Sequence, residues 1–274
     1  MAPELTEDEI QRYSRHILLE EVGGIGQAKL KEARVLVVGA GGLGSPLILY
    51  LAAAGVGRIG IVDDDRVELS NLQRQIAHRT DGLGMGKAQS AAVAARAINP
   101  TVTVEAHECR IDAGNALALI EGYDIVCDGS DNFATRFLLA DACFLARRTL
   151  VSAAVLRFEG QLSVFKPHAG PEAPCYRCLY PEPPPAGMVP SCSEAGVMGA
   201  VTGVMGTLQA TEVLKEILGI GESLSGRLLI WDALAARMRV VRLKRDSACP
   251  LCGEAGEIHD LSAHAGAPAT ACAV

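Results

Sequence analysis

Short apolar runs alternate along the chain with longer segments whose apolar residues recur at helical spacing. Residues 34–38 are a β-branched run, 39–44 a glycine-rich turn, and 46–54 an apolar stretch of helical length. A second β-run, 57–62, ends on Asp63, Asp64 and Asp65. This order of strand, glycine turn, helix and strand predicts half of a doubly wound sheet. The alternation continues with a helix over 87–98, stopped by Asn99-Pro100, and a strand over 102–106. Helices over 113–120 and 132–146 then flank a strand at 123–127, and another strand follows at 149–153. Upstream, Thr6 and Glu9 form a capping-box pattern for a helix carrying Ile10, Tyr13, Ile17 and Leu18 on one apolar side. Gly23, Gly24 and Gly26 are expected to break it before a short helix over 27–31.

The later chain changes character. Residues 160–165, 227–231 and 237–243 read as strands added antiparallel to the sheet's edge, and 195–219 as a long helical region. Between them, 168–196 is a proline-dense crossing loop, which cannot be a core strand and suits a cover over a site or partner. From Glu254 onward alanine, glycine, serine and proline predict a flexible tail, 254–274. The fold class is therefore α/β, a Rossmann-like mixed sheet with N-terminal helices and an antiparallel C-terminal extension. Residues 1–253 form a single expected domain, made of an N-terminal helical segment (1–33), a nucleotide-binding core (34–155) and the crossing-loop and cysteine region (156–253).

Composition narrows the class. With 274 residues and 49% hydrophobic content the chain can bury a large core, and global disorder is excluded. Its net charge of −7 argues against nucleic acid as the main partner, so a polyanionic ligand needs local arginines and lysines. The polar, acidic start is no secretory signal. Thr202, Thr207, Gln209, Glu212 and Lys215 interrupt the apolar stretch 197–218, which fits a buried helix rather than a lipid span. No membrane contact and a cytoplasmic location are expected.

The glycine turn, Gly39, Gly41, Gly42 and Gly44, lets backbone approach a phosphate at a helix N-terminus. Dehydrogenases, flavoproteins and other nucleotide enzymes share that feature. Asp63, at the end of the second strand, is placed to take ribose hydroxyls. Arg74 and Lys87 suit a triphosphate with a departing pyrophosphate, or else are solvated cations. Asp128 and Asp131 follow the 123–127 strand at its ligand-facing end. Asp131 is a candidate Mg²⁺ ligand; alternatively Asp128 or Asp131 caps the next helix. Cys175-x-x-Cys178 and Cys249-x-x-Cys252 have the spacing of a closed tetrahedral Zn²⁺ site, with a redox pair or an iron–sulfur centre as alternatives. Cys192, after the prolines and before a helix, is either an activated thiol or a buried loop anchor. Cys109, Cys127 and Cys143 read as core residues.

Taken together, GxGGLG at 39–44, DxDxVxxSNLxRQ from Asp63 to Gln75, GxxK ending at Lys87, DGSDN at 128–132, and CYRC with a later CPLCG resemble the bacterial ubiquitin-activating-like (ThiF/MoeB/HesA-type) adenylyltransferases. The resemblance spans residues 5–253. It implies ATP-dependent adenylylation of the C-terminal glycine of a ubiquitin-like sulfur-carrier protein ending in Gly-Gly, in molybdopterin, thiamine or tRNA-thiolation chemistry. It further implies ribose contacts from Asp63 and Asp65, with Asn71 and Gln75 as near neighbours. Arg74 and Lys87 become phosphate cations, and Asp131 the Mg²⁺ ligand. By the same resemblance, Arg15 reaches the partner's nucleotide in a homodimer, Cys192 takes part in sulfur transfer, and 156–253 includes the carrier-binding surface, with Arg157 and Phe158 as weak candidates. The expected sulfur donor is a sulfurtransferase or cysteine desulfurase acting in trans. Two rivals are an NAD-dependent oxidoreductase, which leaves Arg74, Lys87 and Asp131 unused, and a non-catalytic zinc-stabilised scaffold.

Overall fold

The computed structural model describes residues 4–185 and 196–266. Strands β1 (Arg34–Val38), β2 (Arg58–Val62), β3 (Thr103–His107), β4 (Ile125–Asp128), β5 (Thr149–Leu156), β6 (Glu159–Phe165), β7 (Arg227–Asp232) and β8 (Arg237–Arg242) form one sheet. Its order is β3-β2-β1-β4-β5-β6-β7-β8. The first five are parallel, while β6, β7 and β8 are antiparallel additions, as the late β-runs predicted.

Helices cover both faces, which is why the central strands are apolar on both sides rather than alternating. Val35 and Val37 of β1 point into a core shared with Leu47 and Leu51 of α4 (Gly44–Ala54), Ala88 and Ala92 of α5 (Lys87–Ile98), and Met205 and Val213 of α9 (Gly199–Leu218). Leu36 and Val38, one residue out of phase, point to the other face, where they join Ile120 of α6 (Ala116–Glu121) and Phe137 and Leu139 of α7 (Phe133–Leu145). The chain runs outward from β1 to β3 and returns through α6 to β4 on the opposite side of β1. Strand order therefore reverses between β1 and β4, and a crevice opens beyond their C-terminal ends.

The N-terminal region departs from its expected form. Instead of one amphipathic helix, two short helices, α1 (Glu7–Arg12) and α2 (Ser14–Ile17), meet at Tyr13. The capping box of Thr6 and Glu9 is present. Only Tyr13 of the supposed apolar side is fully buried, because its hydroxyl accepts from Asn99 Nδ2 at 2.8 Å; Ile10 and Leu18 are exposed. Nor do the glycines at 23, 24 and 26 break the structure: they form the start of α3 (Gly23–Glu32), and Gly26 lies where a Cβ would meet Leu218 Cδ2 at 3.0 Å. Close packing against the end of α9 selects small residues there.

Within the stretch expected as a flexible tail, Leu261 is buried among the α7-side apolar residues and His264 Nε2 lies 2.7 Å from Asp141 Oδ2; residues 267–274 lie outside the described residues. Asp141, on α7, also accepts from Arg177 Nε and Nη2, each at 2.7 Å, and Arg177 belongs to α8 (Tyr176–Leu179) between two of the paired cysteines. Burial pushes the Asp141 carboxyl up, but the Arg177 guanidinium and the His264 ring more than offset it and hold it below the usual 3.8. Its ionised form therefore stabilises the fold above that value, and the contribution fades as pH falls below it. Asp141→Asn is expected to cost about 3–5 kcal/mol in urea unfolding at neutral pH, because a buried guanidinium loses its partner. The difference from the unsubstituted chain should shrink in increasingly acidic buffer. Equal stability of both chains at neutral pH would contradict this.

Candidate nucleotide site and cysteine cluster

A cleft of about 310 Å³ lies at the C-terminal ends of β1, β2 and β4, lined by Gly39, Gly41, Gly42, Asp63, Asp65, Arg74, Gln75, Lys87 and Asp131 among others. Gly39 has φ +96°, and a Cβ there would come within 2.7 Å of the Gly129 carbonyl oxygen. The turn after β1 and the loop after β4 thus meet backbone to backbone, which only glycine permits at that conformation. Gly44 begins α4 behind the cleft, and Thr202 of α9 closes over Gly42.

Asp63 organises the turn. Its Oδ2 accepts from Ala40 N at 2.8 Å and its Oδ1 from Asp65 N at 2.9 Å. Burial raises its pKa, against the lowering effect of those two N–H donors and the Lys87 charge. Lys87 is the first residue of α5, so the helix start aims it at the cleft; its Nζ donates to Asp65 Oδ2 at 2.7 Å. In this pair Lys87 is 9% exposed and Asp65 68%, so the lysine is held from within while its carboxylate partner faces water. Arg74 is half-buried, and its Nη1 donates to the Ser70 carbonyl at 3.0 Å. Gln75 is buried, its Oε1 lacking a hydrogen-bond partner among the described residues. Asn71 does not line the cleft: its Oδ1 accepts from Glu68 N at 2.9 Å and shapes the turn that carries Arg74.

Asp128 and Asp131, three residues apart, have opposite environments. Asp128 is 1% exposed; it accepts from Ser130 N and Oγ and from Ser152 Oγ at 3.0, 2.6 and 2.8 Å. Asp131 is exposed, lines the cleft, and has no hydrogen-bond or ion-pair partner among the described residues. Neither aspartate caps α7, because Asn132 does so, accepting from Thr135 N at 2.9 Å. Arg15 is exposed on α2 and does not line its own chain's cleft. Cys192 lies outside the described residues. Cys127 and Cys143 are buried in the fold, and Cys109, also buried, borders the cleft.

Sequence reasoning missed Arg136. A second, mainly apolar cavity of about 210 Å³, lined by Tyr176, Tyr180, Phe165 and Leu162, shares Asp131, Asn132, Arg136 and Val155 with the first. The Arg136 guanidinium stands at this junction. Its Nη2 donates to the Ser130 carbonyl at 2.9 Å, while Nε, 3.7 Å from Asp128 Oδ2, is buried without a hydrogen-bond partner. The signal was its place one turn after Asn132, on the helix face that returns to the end of β4.

The four paired cysteines converge from sequence positions 74 apart. Cys175 Sγ lies 3.8 Å from Cys178 Sγ and 3.5 Å from Cys249 Sγ, and Cys178 Sγ lies 3.4 Å from Cys252 Sγ. All four sulfurs fall within 4.8 Å of one another, a donor set able to hold a divalent metal. Asp246 N points at Cys178 Sγ from 3.4 Å, a hydrogen bond suited to a thiolate.

The fold and the cleft define an α/β protein of the doubly wound class with a glycine-floored cleft at its switch point. The chain belongs to the ThiF family, whose profile matches residues 13–251. It is 50% identical over 251 residues to the sulfur carrier protein adenylyltransferase of Thermus thermophilus, covering 91% of this chain and 93% of the relative. To the SAMP-activating enzyme E1 of Haloferax volcanii it is 49% identical, covering 93% of each. It is 53% identical to the bovine (Bos taurus) adenylyltransferase and sulfurtransferase MOCS3, covering 94% of this chain but 56% of that protein. Among solved structures, E. coli MccB bound to ATP shares the fold, with a TM-score of 0.74 and 19% identity over 91% of this chain and 82% of that one. No helix among the described residues is long and apolar enough to cross a membrane.

Elemental analysis of the purified chain is expected to find about one divalent metal ion per chain, and Cys249→Ser to lose it with a lower melting temperature. Full metal content in the variant would remove Cys249 from the donor set.

Proposed function

We propose that this chain uses ATP to adenylylate the C-terminal glycine carboxylate of a ubiquitin-like sulfur-carrier protein ending in Gly-Gly, releasing pyrophosphate and preparing thiocarboxylate formation. The observation that carries the reading is the meeting of two cavities at Asp131 and Arg136: one polar, floored by a glycine turn, the other mainly apolar. Family membership and the name of the Thermus relative support it.

A terminal carboxylate is ionised at neutral pH, so attack on the α-phosphorus needs no general base. The difficulty is electrostatic, since one anion must approach another. Positioning and charge compensation then supply the catalysis. Arg136, which lines both cavities, is assigned to the incoming carboxylate. Arg74 and Lys87 are assigned to the triphosphate, Lys87 exchanging its Asp65 contact for phosphate oxygens. Asp63, with Gln75 beside it, is assigned to the ribose. Bound Mg²⁺ would supply charge neutralisation for the departing pyrophosphate, and Asp131, exposed at the junction and without a hydrogen-bond or ion-pair partner among the described residues, is the carboxylate suited to hold it.

Other assignments complete the reading. Zn²⁺ in the cysteine cluster supplies a structural crosslink, held by Cys175, Cys178, Cys249 and Cys252. The chain acts as a homodimer in which Arg15, flanked by the exposed Leu18 and Leu19, reaches the partner's cleft. The body of the carrier docks along β8, an edge strand exposed at every residue and carrying Met238 and Val240. Cys192 accepts or relays sulfur from a separate sulfurtransferase or cysteine desulfurase. A nicotinamide dehydrogenase would leave the Arg136 junction and the second cavity without a role.

Exchange of labelled pyrophosphate into ATP, measured with a Gly-Gly-ending carrier, tests the reading. Asp131→Ala should abolish exchange, and Lys87→Ala or Arg74→Ala should lower it about 100- to 1,000-fold. Arg136→Ala should chiefly raise the KM for carrier. Near-normal exchange by Asp131→Ala would defeat the Mg²⁺ assignment, and none by the unsubstituted chain would defeat the proposed activity.

A further inference from the structure

The peptide group of Ala40, in the glycine turn, is held on both sides. Its N–H donates to Asp63, as described above, and its carbonyl lies 2.9 Å from His78 Nε2. The other ring nitrogen, Nδ1, lies 2.9 Å from Ser90 Oγ. His78 and Ser90 are both buried, at 6% and 7% exposure, and His78 does not line the cleft. The ring therefore bridges two elements that the cleft draws on separately: the glycine turn and the first turn of α5, whose opening residue is Lys87. Its own backbone completes a third link, since His78 N donates to the Gln75 carbonyl at 3.0 Å, closing a turn that begins one residue after Arg74.

The chemistry of the partners sets the form of the ring. A backbone carbonyl only accepts, so Nε2 must carry the hydrogen; in a neutral ring Nδ1 is then the acceptor for the Ser90 hydroxyl. Burial lowers the pKa of His78, against the raising effect of the Ala40 carbonyl, and the Lys87 charge adds weakly to the lowering. Both bonds are satisfied without a charge.

We propose that His78 is a positioning residue for phosphate: its neutral, Nε2–H imidazole fixes the spacing between the glycine turn and the cations Arg74 and Lys87. Its effect rests on the adenylylation reading, but the state of the ring does not. The expected consequence is on the alignment of bound ATP more than on its capture, since Asp63 and the turn's other contacts persist without the ring.

Two measurements on the full chain test this. Nitrogen-15 NMR should show a neutral His78 ring with its hydrogen on Nε2, and its signals should shift when Mg–ATP is added. In pyrophosphate exchange, His78→Ala should lower kcat about 10- to 100-fold while changing the KM for ATP less than about threefold. His78→Gln, which can still donate to the Ala40 carbonyl, should recover most of the rate, with all three chains melting at similar temperatures. A protonated ring, a hydrogen on Nδ1, signals indifferent to Mg–ATP, an unaltered kcat in His78→Ala, or a glutamine variant no better than alanine would each overturn the proposal. Absence of exchange in the unsubstituted chain would overturn the activity instead, and the NMR result would still decide the role of His78.

Discussion

The buried carboxylate of Asp128 is the constraint on which both cavities depend. A charge removed from water is tolerated only when donors surround it, and here the Ser130 N–H, two serine hydroxyls and the nearby Arg136 guanidinium do so. Satisfying that charge bends the chain after β4 into one conformation and ties it to β5 through Ser152. Gln209 of α9 adds a second tie by donating to the carbonyls of Asp128 and Val151, each at 2.9 Å. The loop that results has one aspartate turned inward as scaffold and the next turned outward into the cleft. It also braces Arg136 at the boundary between the polar and the apolar cavity.

That arrangement answers the electrostatic problem of joining two anions in a protein whose own net charge is −7. The cations are local, and each is held before a ligand arrives: Lys87 by Asp65, Arg74 by the Ser70 carbonyl, Arg136 by the Ser130 carbonyl. Donors fixed in advance need little reorganisation during reaction, which is where positioned charge is worth most. The cysteine cluster contributes at a distance. Tyr176, next to Cys175, packs edge-on against Phe137 and Phe165 with ring centroids 5.3 and 5.5 Å away, and so forms a wall of the apolar cavity.

Much of this was legible in the sequence. The β-branched runs and the glycine turn marked the doubly wound sheet, the capping box marked the first helix, and the two CxxC pairs announced a cluster that the fold assembles. What escaped depended on which way a side chain faces. Asp128 and Asp131 carry the same chemistry, and only the direction of the chain leaving β4 separates a buried scaffold from a carboxylate open to the cleft. Arg136 looked like any helix arginine, His78 lay three residues beyond the recognisable motif, and Asn71 sat inside it without revealing that it bonds to backbone. The N-terminal helix misled because its apolar spacing was real while its burial was not: Tyr13 alone is drawn in, by its bond to Asn99.

In the proposed reaction a carrier's terminal carboxylate meets the α-phosphate at the Asp131–Arg136 junction. Its most direct test is the intact mass of a Gly-Gly-ending ubiquitin-like carrier after brief incubation with the protein and Mg–ATP, beside the same carrier lacking its last glycine. The account predicts an AMP adduct on the complete carrier and none on the truncated one. Absence of the adduct from the complete carrier, or its equal presence on both, would contradict it.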